Sequence, residues 1–509
     1  MTSSDSLQSS SQSLAAPVWV FCILFFSYAY FWQSRDWNSA SRLMLTYAIV
    51  DRGTIAINGM ENQTGDKALF ERRYYTDKLP GFSFLAVAPY WVARKIFHVP
   101  PHPLRGPALA YWPADYWVTL ATSSLASALT GALLSLFAAR IGCGPRRSAL
   151  VGLAYGLATP AFAYATLSYG HQVSAFCLFT SFFVIVDPPV RRPAVWAGVA
   201  GFLAALAAVV ELQVGPVSAL LGIAVLVQVI GRRLPARGLL TFALGAAIPT
   251  LIFLGYNLLA FGSPFDMGYF HHATHQFAQV HSERNPLGLR SPNWSLALPL
   301  LWGPHRGLMF YAPIVLLAPA GWLVLAFQRR WGVAALSLAA CLAVFLVNLS
   351  YPEWTGGWST GPRLLVPLLP FAMVAVAGLL AVESRLITLV AVALALAGGV
   401  LMLGFVAVGG RIPHTIPDPL TSVVWPLWCG HPLPFWWPGQ RFTRNVAGVL
   451  FSQSLATLPA GLQWVQFLPL VVLQIVGIGA MMFARSKAVQ TGTDAQATRT
   501  NPPRHSPAQ

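Results

Sequence analysis

The sequence predicts an all-α polytopic membrane protein with about twelve transmembrane helices and juxtamembrane helices in its first outer loop. Three observations carry that expectation. Of 509 residues, 56% are hydrophobic and only 9% are charged, against about 25% charged in a soluble domain. Apolar runs of roughly 17 residues or more, enough to cross a bilayer, recur along the chain. The basic residues gather in alternate loops between those runs.

The runs lie near 17–33, 115–139, 148–166, 172–187, 194–210, 214–230, 239–260, 308–327, 333–350, 364–382, 386–408 and 462–484. A further stretch, 81–97 (GFSFLAVAPYWVARKIF), is short, contains Pro89 and ends in Arg94-Lys95. It reads as an interfacial amphipathic helix, with a span as the alternative. One set of loops then receives Arg140, Arg146, Arg147, Arg191, Arg192, Arg232, Arg233, Arg237, Arg329, Arg330 and Arg385. Only Asp187 and Glu383 oppose them, and the short turns of the other set carry only Arg363. The positive-inside rule makes the first set cytoplasmic.

The expected organisation is a cytoplasmic tail over 1–16, a transmembrane domain over 17–484 and a polar, disordered cytoplasmic tail over 485–509. Outer segments fall at 34–114, 261–307, 351–363 and 409–461. The N-terminal stretch lacks the basic n-region of a signal peptide, so the first apolar run is expected to stay attached. No internal repeat is visible, which weighs against an inverted-repeat transporter.

The net charge of +16 is explained by membrane orientation, and nucleic acid is excluded as a partner. The five cysteines show no CxxC spacing, so neither a disulfide framework nor a zinc site is indicated. His271 and His275 stand four apart, the spacing of two ligands on one helix face, without an acidic residue in helical register. No cofactor or metal is indicated by these residues, and a divalent-metal requirement is left open.

The polar chemistry concentrates in the first outer loop. Residues 34–80 hold six of the sixteen acidic residues: Asp36, Asp51, Glu61, Asp66, Glu71 and Asp77. In RDWNSASR, Arg35–Arg42, a carboxylate, an amide and two arginines meet where the chain leaves the first apolar run. Asp36 is a candidate base beside phosphate-binding arginines, with interface anchoring as the alternative. In YYTDKLPG, Tyr74–Gly81, Pro80 fixes φ and Gly81 permits a tight bend, which sets Lys78 near headgroup depth as a compact cation. A solvated ion pair on a turn is the alternative. Arg306 in PHRG stands just before a span as a second phosphate contact. In YPEWTGGWSTGPR, Glu353 and Arg363 share a Gly-rich turn with Trp354 and Trp358, either as a sugar or pyrophosphate site or as part of an aromatic belt.

An acidic first outer loop, a Lys-x-Pro turn and a short interfacial helix resemble the GT-C superfamily of polytopic glycosyltransferases that use polyprenyl-phosphate-linked sugars. The members it resembles are the bacterial lipid A aminoarabinose transferases and the family-39-like protein O-mannosyltransferases. Arg42 and Gly53 fall at the spacing of the family's Asp-Glu-Ala-Arg-like motif and its later glycine. Asp77-Lys78-Leu79-Pro80 matches its Glu-Lys-Pro-Pro turn. The resemblance is clearest over residues 17–150. One departure stands out: the family's catalytic Asp falls at Asn38 and its neighbouring Glu at Ser39. Asn has no proton-accepting carboxylate, so either Asp36 or Asp77 supplies the base, or this branch arranges its site differently, or catalysis has been lost.

The resemblance implies a transferase that moves a sugar from a polyprenyl-phosphate donor to a glycan, lipid or protein acceptor of the cell envelope. It further implies a bacterial inner or plasma membrane, with the active site facing outside. The candidate site is Asp36 and Asp77 as bases, with Lys78, Arg42, Asn38, Arg306, Glu353 and Arg363 binding substrate. The absence of a GxxxxGK[ST] loop fits a lipid-linked rather than a nucleotide donor. A transporter, a lipid flippase and a non-catalytic protein of the same fold remain the other readings.

Overall fold

The computed structural model describes residues 3–107, 110–274, 280–434 and 441–482. The helices α1 (Ser3–Ala29), α2 (Trp37–Arg52) and α3 (Gly81–Lys95) precede α4 (Pro113–Arg140), α5 (Pro145–Leu157), α6 (Ala161–Ala165), α7 (Gly170–Val186) and α8 (Pro193–Val210). Next come α9 (Leu212–Ile230), α10 (Arg237–Phe261), α11 (Pro313–Phe327), α12 (Trp331–Ser350), α13 (Arg363–Leu380), α14 (Arg385–Ala407), α15 (Leu420–Cys429) and α16 (Ala460–Met482). Among the described residues, eight of these are long and apolar enough to cross a membrane: α4, α8, α9, α10, α12, α13, α14 and α16. The apolar part of α1 (Ala15–Ala29) and α7, α11 and α15 are shorter.

The bundle is an all-α polytopic membrane protein. Its centre is α13, with 89% of its most apolar window buried, packed against α4, α11 and α12. The outermost spans invert the pattern of a soluble protein. On α10 and α14 only 17% of the window is buried, and Leu240, Leu244, Leu251, Leu386, Leu389 and Leu396 point outward. Such a surface is stable only against lipid.

Three features differ from the sequence expectation. The run 148–166 is not one helix. Its first part, α5, ends at Leu157, a turn at Thr159-Pro160 intervenes, and α6 starts at Ala161, because Pro160 lacks an N–H and disfavours helix at the residue before it. The segment 409–461 contains a short apolar helix, α15. Two short antiparallel pairs also form: β1 (Phe31–Trp32) with β4 (Arg444–Asn445), and β2 (Lys67–Phe70) with β3 (Arg73–Thr76). The second is a hairpin within the first outer loop. Its two turn residues, Glu71 and Arg72, both take left-handed backbone (φ 45° and 62°), the geometry that matches the strand twist.

Loop contacts divide into two groups. Arg140 pairs with Asp187 at 3.1 Å and Arg147 with Glu383 at 3.1 Å, joining loops of the arginine-rich set. The ion pairs of 34–80, 211 and 266–272 form the other group. No ion pair among the described residues joins the two.

Candidate active site

The site starts from the cap of α2. The Asp36 carboxylate accepts from the Ser39 N–H at 2.9 Å and the Ser39 hydroxyl at 2.8 Å, while Ser39 Oγ accepts from the Asp36 N–H at 2.9 Å. Such a cap contributes about 1 kcal/mol. The helix ends at Gly53, whose left-handed φ of 63° lets its N–H close on the carbonyls of Ala48 and Ile49. Between these caps, the 3.6-residue repeat sets Asn38 one turn before Arg42, and both are buried.

Arg42 donates from Nε to Asn38 Oδ1 at 3.1 Å, from Nη1 to the Val210 carbonyl at 3.2 Å and from Nη2 to Glu211 Oε1 at 2.7 Å. Glu211 occupies the turn between α8 and α9, 3.6 Å from His171 Nδ1. It lies against the N-terminus of α7, where the helix dipole favours negative charge. A Cβ at Gly170 would stand 2.4 Å from Glu211 Oε1. Gly170→Ala is therefore expected to displace this carboxylate and destabilise the protein by about 1–3 kcal/mol. Thermal unfolding in detergent would show it, and an unchanged midpoint would remove the packing argument.

Lys78 stands on the turn before α3. Its Nζ is 2.7 Å from Asp77 Oδ2 and 2.9 Å from Asp66 Oδ2. Asp77 also lies 2.9 Å from His272 Nε2 and accepts from Ser41 Oγ at 3.1 Å. The Gly81 beside this turn is helical and needs no special φ. Its requirement is close approach, since a Cβ there would stand 2.7 Å from the Val209 carbonyl oxygen. That contact holds the Lys78 turn against the end of α8, next to Glu211.

Electrostatics separate the two carboxylates on Lys78. Burial pushes Asp66 upward, and Lys78 offsets this only in part. Burial also acts on Asp77, but Lys78 and His272 together outweigh it and hold that carboxyl well below the usual range. Burial works against the Lys78 ammonium, yet the two carboxylates raise its pKa. The cluster is thus an ionised Asp77–Lys78 pair, with Asp66 as the more basic of the two acids.

A third part of the site surrounds Tyr169. Its hydroxyl donates to Asp36 Oδ2, and the Arg363 guanidinium lies over its ring, 5.2 Å from the centroid. The loop holding Tyr169 is fixed from α4, where a π-helical turn at Leu120–Ser124 aims Ser123 at the Tyr169 carbonyl (3.0 Å) and Ser124 at the Ala165 carbonyl (2.6 Å). Arg363 Nε is buried with no hydrogen-bond partner among the described residues.

Of the sequence candidates, Asp36, Asn38, Arg42, Asp77, Lys78 and Arg363 come together here. Arg306 is buried, and its guanidinium donates to the carbonyls of His305, Thr355, Gly357 and Ile412, clamping the 351–363 turn to residue 412. Glu353 is exposed on that turn. Sequence reasoning missed Glu211, His171, Asp66, His272 and Tyr169. One signal was present: Glu211 is the only acidic residue between Asp187 and Asp266. His271 lies 2.8 Å from Asp266, and its expected companion His275 lies outside the described residues. Among the described residues, no group of three or more His, Cys, Asp or Glu is arranged to hold a metal.

An apolar cavity of about 460 Å³ opens between α9 and α12, lined by Pro216, Leu220, Ile223, Leu289 and Leu346, with Ser350 as its polar rim. The next residue, Tyr351, donates towards His281 Nε2 at 3.1 Å. Burial pushes the Tyr351 phenol up to about 12, against the opposing field of Lys78. The residue after Ser350 therefore lies within the field of Lys78.

Fold and site together define an integral membrane protein with a buried ionic site where one alternate set of its loops converges. Among solved structures, the chain is similar to ArnT from Cupriavidus metallidurans bound to undecaprenyl phosphate, with a TM-score of 0.47 and 16% identity over 92% of this chain and 76% of that one. It is also similar to the archaeal oligosaccharyltransferase AglB from Archaeoglobus fulgidus in complex with an inhibitory peptide and a dolichol-phosphate. There the TM-score is 0.47 and the identity 11%, over 85% of this chain and 61% of that one. No family model matches the sequence, and no curated protein matches it.

Proposed function

We propose that this chain is a GT-C-like membrane glycosyltransferase that moves a sugar from a polyprenyl-phosphate donor to an envelope acceptor on the non-cytoplasmic face. The observation that carries the reading is a largely enclosed lysine, fixed between two carboxylates, with an open apolar groove in the same half of the bundle. A phosphate at Lys78 would have Arg42 and the open Nε of Arg363 in the same cluster. An isoprenoid tail would take the cavity between α9 and α12.

The chemistry needs a proton acceptor for the attacking hydroxyl and cations for the departing phosphate. Lys78, Arg42 and Arg363 answer the second need, and Asn38 orients Arg42. Asp36 and Asp77 remain the candidate acceptors. Asp77 is held ionised and fully enclosed, which suits positioning of Lys78. Asp36 directs one carboxylate oxygen to the Tyr169 hydroxyl next to Arg363, which suits contact with an acceptor. Arg306 and Glu353 enter through the turn that carries Arg363, the first as its clamp and the second at its exposed rim.

The test is release of undecaprenyl phosphate from undecaprenyl-phosphate-linked sugars by the full chain in nanodiscs. Asp36→Ala and Asp77→Ala are each expected to slow release by about 10²–10⁴-fold. Undiminished turnover by both would remove the base assignments. Solute or lipid movement in liposomes, with no sugar transfer, would replace the reading with a transporter.

A further inference from the structure

Asp66 and Asp77 share one ammonium but are held very differently. Asp77 has a side chain with 0% exposure and is fixed by Lys78, Ser41 and His272. Asp66 reaches Lys78 with one oxygen at 2.9 Å, and its side chain retains 11% exposure against 13% for Lys78 itself. The mouth of the ionic cluster is thus at the Asp66–Lys78 contact.

The backbone under Asp66 is pinned. The Thr64 hydroxyl donates to the Trp37 carbonyl at 2.8 Å and accepts from the Asp66 N–H at 3.0 Å. The Thr274 hydroxyl donates to the Gly65 carbonyl at 2.5 Å. Departure of the carboxylate from Lys78 would therefore be a side-chain rotation, with the loop left in place. A phosphate monoanion or dianion presents more acceptor oxygens to an ammonium than a single carboxylate contact does. Burial, which raises the proton affinity of Asp66, also makes its charge the easier one to give up.

We infer that Asp66 is a built-in stand-in for the ligand: its carboxylate fills the anion position on Lys78 until a phosphate group displaces it, while Asp77 stays and keeps the lysine in place. This rests on the reading of Lys78 as the phosphate contact. It adds that the resting site is self-inhibited by its own hairpin, because Asp66 immediately precedes β2. Phosphate affinity is then set by competition with a tethered carboxylate.

The measurement is equilibrium binding of undecaprenyl phosphate to the full chain in phosphatidylcholine nanodiscs. It compares wild type, Asp66→Asn, Asp66→Ser, Asp77→Asn and Lys78→Ala, with inorganic phosphate as a second probe. Both Asp66 variants are expected to bind about 10-fold more tightly than wild type, Asp77→Asn to bind more weakly, and Lys78→Ala to lose binding. A gain with undecaprenyl phosphate alone identifies a lipid headgroup as the displacing anion. A matching gain with inorganic phosphate identifies the free anion, and both patterns support displacement. Unchanged or weakened binding in both Asp66 variants, with Lys78→Ala still inactive in binding, overturns the stand-in and leaves the phosphate reading intact. Wild-type affinity in Lys78→Ala overturns both.

Discussion

Glu211→Ala is expected to destabilise the protein by about 3–5 kcal/mol, the usual result of removing one partner from a buried ion pair. Arg42 has a 2% exposed side chain and Glu211 an 8% exposed one, 2.7 Å apart. Without the carboxylate, the guanidinium keeps Asn38 and the Val210 carbonyl as hydrogen-bond acceptors among the described residues, and the Phe82 ring at 5.9 Å, and a buried charge is left without a counter-ion. Glu211→Gln retains the hydrogen bond but not the charge and should fall between the two. The pair Arg42→Met with Glu211→Leu is expected to recover stability without recovering activity, since apolar replacement of both ions is often neutral. Thermal unfolding of the four proteins in one detergent decides it. Equal stability of wild type and Glu211→Ala would mean that the contact contributes nothing.

Lys78→Ala is expected to lower turnover by at least about 10²–10³-fold, the scale set by removal of one donor to a developing negative charge. It should also make stability fall more steeply as pH rises. In the wild type, the lowered pKa of Asp77 contributes stability that is present above its unfolded value of about 3.9 and is lost only as pH falls through the low folded value. Between pH 5 and 8 that contribution is constant, while Asp66, raised by burial and only partly offset by Lys78, costs some stability as pH rises through its folded value. Without the ammonium, Asp66 and Asp77 face each other, Ser41 and His272 in a buried site, so at least one carboxyl is raised above its unfolded value. A raised carboxyl stabilises at low pH and costs stability as pH rises. Lys78→Ala should therefore lose more stability between pH 5.5 and pH 8 than wild type or Lys78→Arg does. Parallel pH profiles for wild type and Lys78→Ala would refute this account.

Much of the fold was legible because the bilayer imposes length and polarity on each span. The eight long apolar helices all fall on runs visible in the sequence. The hairpin at 67–76 was not legible. Its left-handed turn is built from Glu71-Arg72 rather than the Asn-Gly or Asp-Gly that ordinarily announces such a turn. The short helix Leu420–Cys429 was hidden because a ten-residue, mostly apolar stretch in a Pro- and Trp-rich loop gives no distinct period.

The site was half legible for a related reason. Asp36, Asn38, Arg42, Asp77 and Lys78 sit close together in sequence, so local pattern could group them. Glu211 is a lone acid in a turn between spans and His171 opens the helix α7, and only the tertiary contacts of Glu211 with Arg42 and His171 give them meaning. Asp66 was seen as one of six acids in a loop. What distinguishes it from Glu61 or Glu71 is 2.9 Å to a lysine twelve residues away, a distance that no spacing rule supplies.

The pairing of Phe31-Trp32 with Arg444-Asn445 carries a consequence for biogenesis. The Thr443 hydroxyl reaches the Trp32 carbonyl across 411 residues, and the Val446 N–H reaches the Tyr30 carbonyl. A ribosome delivers chain from the N-terminus at about 5–20 residues per second. The exit of the first helix thus waits with open peptide groups until nearly every later span has been inserted. Nascent chains halted before residue 441 should leave that seam accessible to protease, and it should close only when synthesis proceeds beyond residue 446.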